Sequence, residues 1–222
     1  MLLVYILLVF FLNIIKYYAV AEDELLAVTL IYRHGDRTPI KFYAKDPHKN
    51  SPRWPAPPGQ LTNTGKLQLY LLGKWFRNRY DGFLSPIYNV SEIYVRSTDV
   101  DRCIMSAASS LAGLYPPHGK DVWNDDLPWQ PIPIHTVPAE EDDIAKVFNC
   151  CPKYSRILSE SQELPYYKQL QEKNKVFYEY LTNNTGEEVA DLFNIFHLFD
   201  NIQIEKIIIS HYQTGLMTCT RN

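Results

Sequence analysis

The sequence predicts an α/β fold, and three observations carry that expectation. Residues 25–32 are an apolar run with the length of a buried strand, and a charged turn follows directly. A second strand-to-helix turn falls at residues 92–99. Helical spacing of apolar residues follows each turn and returns beyond residue 154. With 222 residues, the chain can form one large domain or a core with an inserted second part.

The first 15 residues are almost uninterrupted Leu, Val, Ile, Tyr and Phe, and small residues at Ala19-Val20-Ala21 precede acidic Glu22-Asp23-Glu24. Residues 1–21 therefore read as a secretory signal cleaved after Ala21. Lys16 follows the apolar region instead of preceding it, so an uncleaved signal anchor is the rival reading. The run falls short of the roughly 20 residues a full span needs, which favours cleavage and no stable membrane span afterwards. Secretion agrees with acceptor sequons at Asn89 and Asn183, both expected to carry glycans. It also agrees with four cysteines available for disulfides. Cys150 and Cys151 are neighbours and rarely bridge each other, so at least one is expected to have a distant partner. Cys103 fits a helical pattern as a buried thiol, and Cys219 completes the set; spacing does not fix the pairing.

The expected strand at 25–32 ends in Arg33-His34-Gly35-Asp36-Arg37-Thr38-Pro39. The carboxyl end of a strand is where open α/β sheets bind ligands. Guanidinium forks match phosphate oxygens two at a time, and His34 between Arg33 and Arg37 is placed to be a nucleophile. Residues 41–59, rich in Pro, Lys and Asn, are expected to form a long loop beside or over the site.

Thr62 is expected to cap a helix whose apolar residues are Leu67, Leu71, Leu72, Trp75, Phe76 and Tyr80. Lys74, Arg77 and Arg79 fall in its last turns, where cations suit the dipole. Residues 93–95 are the next expected strand. Thr98 is expected to cap a helix burying Val100, Ile104, Ala108, Leu111 and Leu114, stopped by Pro116-Pro117. Arg96 then sits at a strand end before a helix, serving phosphate, a structural pairing with Asp99 or Asp101, or both.

Ile132-Pro133-Ile134 is an expected edge strand, and residues 140–143 a solvated acidic turn. Helices are expected over roughly 154–181 and 187–200. The second shows a capping-box pair, Thr185 and Glu188, and a buried stripe of Val189, Leu192, Phe193 and Phe196. Ile207-Ile208-Ile209 is expected to be a strand. The formal net charge of −3 leaves no domain-wide basic face for nucleic acid. The histidines are scattered, without cysteine or carboxylate at ligand spacing, so no metal site is expected.

Together these segments resemble the histidine acid phosphatases of prostatic and lysosomal type. The resemblance rests on three separated motifs in order: Arg33-His34-Gly35-Asp36-Arg37-Thr38-Pro39-Ile40; Gly59-Gln60-Leu61-Thr62 with Gly65-Lys66 and Gln68; and Val95-Arg96-Ser97-Thr98-Asp99-Val100-Asp101-Arg102. Asn149-Cys150-Cys151-Pro152 echoes the cysteine that opens the family's cap, and the likeness covers about residues 25–200.

It implies a three-layer α/β sandwich, phosphoglycerate-mutase-like, with an inserted, mostly helical cap. Residues 22–138 would be an incomplete core, 139–205 the cap and 206–222 a divergent tail. It implies a secreted or lysosomal acid phosphatase of small phosphate monoesters, without cofactor or metal. His34 would carry the phosphoryl group as phosphohistidine, and Arg33, Arg37 and Arg96 would hold its oxygens. Dimerisation is not legible; a homodimer is compatible with the sequence.

One departure stands out. The family draws its general acid from a late His-Asp pair, and the 222 residues contain no such dipeptide. His211-Tyr212 is a superficial echo to which the role does not transfer, so the general acid is expected to be absent. Losing a general acid typically costs about 10²–10⁴-fold, most for alkyl leaving groups. The alternatives are a non-catalytic, truncated phosphate-binding paralogue, or a phytase or phosphoglycerate mutase branch. The signal disfavours the cytosolic mutases.

Overall fold

The computed structural model describes residues 24–213. The expected signal at 1–21, Cys219 and residues 214–222 of the expected tail lie outside the described residues. The chain divides into two units, Met1–Tyr32 and Arg33–Asn222.

In the first unit, residues 24–32 form neither helix nor strand, and Leu26 and Ile31 are 81% and 94% exposed. This corrects the buried strand expected at 25–32. A strand exists only through a neighbour that takes its N–H and C=O groups, and this segment has no such ladder.

The second unit is helical. Among the described residues, β structure is confined to three isolated bridges, Arg37↔Leu61, Asp81↔Leu84 and Arg96↔His135, so the expected layered sheet is not formed there. Two expected strands do meet. Ser97 N–H donates to His135 O, and His135 N–H donates to Val95 O, both at 2.9 Å. The contact stops at one parallel bridge.

Helix α1, Asn63–Arg79, starts where expected: Thr62 Oγ1 accepts from Gly65 N–H at 3.0 Å. Its buried face differs from expectation. Gly65, Leu69, Gly73 and Phe76 point inward, while Leu67, Leu71 and Trp75 are each more than half exposed. The reason lies in α2, Asp101–Leu114, which crosses at backbone distance. A Cβ on Gly73 would meet the Ser110 carbonyl oxygen, and one on Gly113 would meet that of Tyr70. Small residues set this interface, so a search for large apolar side chains misses it. Gly73→Ala is expected to lower the unfolding free energy by about 2–3 kcal/mol through overpacking, measured by urea denaturation. A loss within experimental error would show that the helices can separate at no cost.

Helix α2 begins at Asp101 behind Val100, with no side-chain cap, so the Thr98 cap is corrected. Val100 N–H instead bonds the Thr98 carbonyl at 2.8 Å. Ser106, Ala107, Ser110, Leu111 and Leu114 form its buried face.

A short helix α3, Val147–Cys150, is followed by α4, Pro152–Gln162, and α5, Pro165–Thr185. One helix was expected over roughly 154–181. Pro165 divides it, because proline lacks the N–H to continue a helix and holds Leu164 extended, at ψ 140°. Thr185 ends α5, donating to Leu181 O at 2.8 Å, instead of capping the next helix.

The cap of α6, Leu192–Gln213, is Asp191, whose Oδ1 accepts from Asn194 N–H at 2.8 Å. Ile207, Ile208 and Ile209 continue this helix, which corrects the strand expected there. The expected stripe is also corrected: Val189 is buried, but Leu192, Phe193 and Phe196 are exposed. The inward face of α6 runs Leu198, Asn201, Glu205 and Ile208, at helical spacing and including two polar groups. No helix of the described residues is long and apolar enough to cross a membrane. Cys103, Cys150 and Cys151 are free thiols.

Candidate active site

The Arg33–Pro39 segment is fastened to the start of α1. Thr62 Oγ1–H donates to Asp36 Oδ2 at 2.7 Å, and Thr62 N–H donates to Asp36 O at 3.0 Å. Gln68 Oε1 takes Asp36 N–H at 2.9 Å, and Thr38 N–H reaches Gln60 O at 3.1 Å. From α2, Ser106 Oγ accepts Gly35 N–H at 3.2 Å. Gly35 and Gly65 permit this: a Cβ on Gly35 would meet the Gly65 carbonyl oxygen, and one on Gly65 that of Asp36. Two helices thus fix the loop that carries His34.

His34 is half-buried, with Nδ1 2.8 Å from the Gly35 carbonyl oxygen. A carbonyl only accepts, so Nδ1 carries the proton and Nε2 the lone pair. Burial lowers the imidazole pKa below its ordinary 6.5; the Gly35 bond opposes this, and the charges of Arg33, Arg102 and Arg37 add to it. The neutral form of the ring is thereby favoured, with Nε2 left unprotonated.

A cavity of about 300 Å³ adjoins it. Arg33, His34, Gly35, Asp36 and Arg37 form one wall with Gln68 of α1; Asp200, Gln203, Ile204 and Ile207 of α6 form the other. A larger hollow of about 420 Å³ among Phe42, Trp54 and Pro55–Pro58 offers Lys49 as its one ionisable lining residue and no nucleophile.

Arg37 is buried, and its Nη2 donates to Asp200 Oδ2 at 2.7 Å while Nη1 donates to Thr38 O at 3.0 Å. Arg96 does not line the cavity. Its Nη2 donates to Asp142 Oδ1 at 2.9 Å, so its partner is neither Asp99 nor Asp101. The acidic turn expected to be solvated is corrected at Asp142, which is fully buried. The Ala145 N–H holds that carboxyl below the usual range against the cost of burial, helped by Ile144 N–H and Arg96. Arg102, from the first turn of α2, acts on His34 instead.

The Nε groups of Arg37, Arg96 and Arg102 are all buried without a hydrogen-bond partner. Unmet guanidinium donors of this kind suit an oxyanion. Among the described residues no cluster of three or more His, Cys, Asp or Glu suits a metal ion.

The motif therefore brings Arg33, His34 and Arg37 together as expected from the sequence. Gln68 and Asp200, which line the cavity, and Arg102, whose charge acts on His34, were not singled out from the sequence. Arg102 and Gln68 stood within the quoted motifs, and helical spacing from the true start of α2 points to Arg102. Asp200 had no local signal. Asn89 and Asn183 are both exposed, and His211 and Tyr212 fall in the last turn of α6.

Comparison with known proteins finds relatives of substantial identity. The chain is 44% identical to the lysosomal acid phosphatase of Homo sapiens over 180 residues, covering 81% of this chain and 42% of that protein. It is 46% identical to the lysosomal acid phosphatase of Xenopus laevis over 184 residues, covering 82% and 42%. With the prostatic acid phosphatase of Homo sapiens the identity is 42% over 191 residues, covering 85% and 49%. The chain thus spans less than half the length of these relatives. The histidine phosphatase superfamily (branch 2) matches residues 24–214, from before the His34 motif to the end of α6, and the chain belongs to that family.

Proposed function

We propose that this site hydrolyses phosphate monoesters as an acid phosphatase, through phosphohistidine at His34. The observation that carries the reading is the tautomer: the Gly35 carbonyl holds the proton on Nδ1 and leaves Nε2 to attack, beside the guanidiniums of Arg33 and Arg37. In the first step the Nε2–P bond forms, the ester P–O bond breaks, and the leaving oxygen departs with its electron pair as an anion that solvent water then protonates. In the second, water attacks phosphorus, the N–P bond breaks, and orthophosphate leaves. Arg33 and Arg37, on the cavity wall, balance charge on the equatorial oxygens, and Arg102 adds positive charge near His34. Arg96 supports the site through its buried pairing with Asp142.

The relatives' names and the exposed sequons at Asn89 and Asn183 support a secreted or lysosomal glycoprotein. Family membership supports the three-layer sandwich, with residues 22–138 as core and 139–205 as helical cap.

The test is a chemical trap. The chain is incubated with an aryl phosphate labelled at phosphorus, whose phenolate leaves without a donated proton, and quenched in alkali. An alkali-stable, acid-labile label on His34 is the expected result. Phosphate binding without label would leave a binding protein and overturn the enzymatic reading.

A further inference from the structure

We propose that Asp200 is a positioning residue of the phosphate site, holding the Arg37 guanidinium in register from α6. The inference rests on the phosphate-binding reading of the cavity. Arg37 carries five N–H groups; Thr38 O takes one, Asp200 Oδ2 takes another, and Nε is buried without a partner. A guanidinium that is 93% buried and still short of acceptors on a cavity wall is arranged for an incoming anion. Its plane must be fixed for two of its N–H groups to meet two phosphate oxygens.

The pair lies at the cavity and not behind it. Asp200 lines the same space as His34, with Gln203, Ile204 and Ile207 following at three, four and seven residues along one face of α6. The helix does not depend on Arg37 for its place. Asn201 Nδ2–H donates to the Lys41 carbonyl, and Ile208 is fully buried. These contacts hold α6 against the loop after the motif and so determine where Asp200 stands. A carboxylate beside a phosphate site weakens anion binding by charge alone. Its presence therefore needs a geometric account, and the account is orientation of Arg37.

Opposite signs make this testable. Binding of inorganic phosphate to the full chain is measured by calorimetry for wild type, Asp200→Ala and Asp200→Asn, with thermal unfolding of each. If Asp200 positions Arg37, Asp200→Ala binds phosphate about tenfold more weakly, the loss expected for one charge-assisted hydrogen bond. Asp200→Asn, which keeps an acceptor oxygen, recovers most of that loss. Tighter binding in both variants would mean that the carboxylate acts only by repulsion. Equal affinity with a lowered midpoint would mean that it only staples the helix; either result overturns the inference. Should Asp200→Ala fail to fold, Asp200→Asn decides alone: binding measurably weaker than wild type upholds the inference, and binding equal to or tighter than wild type sinks it. No binding to the wild-type chain would overturn the phosphate reading itself, and this inference with it.

Discussion

Replacing His34 with alanine is expected to abolish the phosphoenzyme and to reduce aryl phosphate turnover by about 10⁴-fold or more, while inorganic phosphate still binds. The split follows from the division of labour in the cavity. In the proposed mechanism Arg33 and Arg37, on the cavity wall, face the oxygens, whereas Nε2 alone would make the new bond to phosphorus. His34→Ala removes no guanidinium and leaves Ser106 still anchoring the Gly35 amide.

The pH profile gives a second reading of the same group. A nucleophilic imidazole works only when neutral, so activity falls as pH drops through its pKa. Burial, joined by the three arginine charges, moves that pKa below 6.5, so the acid limb of kcat/KM is expected below 6.5. An acid limb at or above 6.5, or turnover surviving in His34→Ala, would remove His34 from the chemistry.

What the sequence made legible was local. The Thr62 cap joins groups three residues apart, and the Arg33–Arg37 cluster is contiguous; neither needs knowledge of the fold. The sheet was not legible because a strand is a relation between distant segments. Residues 93–95 and 132–134 each had strand composition, yet the structure joins them in one bridge at Arg96 and His135. The run Ile207-Ile208-Ile209 misled for a related reason. β-branched residues favour strands weakly, but burial decides, and Leu198, Asn201, Glu205 and Ile208 extend one helical face through the run.

The site divided the same way. Asp142 read as one of four acids in a wet turn, but it lies buried against Arg96 from 46 residues away. Asp200 reaches Arg37 across 163 residues. Pairings at such separations leave no periodic trace. Polar residues on an inward helix face, such as Asn201 and Glu205, are also what a hydrophobic pattern search discards.

Glu205 leads to the largest expected effect on stability. It and Asp46 are both buried, at 8% and 4% exposure, and each has a carboxylate oxygen buried without a hydrogen-bond partner. Desolvation first, then the neighbouring Asp46 carboxyl, push the Glu205 carboxyl up to about 8. The Tyr43 hydroxyl beside them is pushed up to about 12, by burial and then by the two acids.

A folded-state pKa raised above the unfolded value means that the native state holds the extra proton. The stabilisation is complete below about 4.5 and is lost as pH rises through about 8. Stability should fall as pH rises across that window, and Glu205→Gln, which stays neutral, should flatten the fall. Urea unfolding at intervals from pH 4 to 9 measures both curves, with the variant expected to exceed wild type at the alkaline end. An unchanged slope in Glu205→Gln would show that the pair does not carry the dependence. His34 works in the other direction: its lowered pKa makes protonation cost stability as pH falls below 6.5. The two groups thus set opposite limits on one site. The acid pair favours the native state under acid conditions, while the buried imidazole limits how far the acid can go.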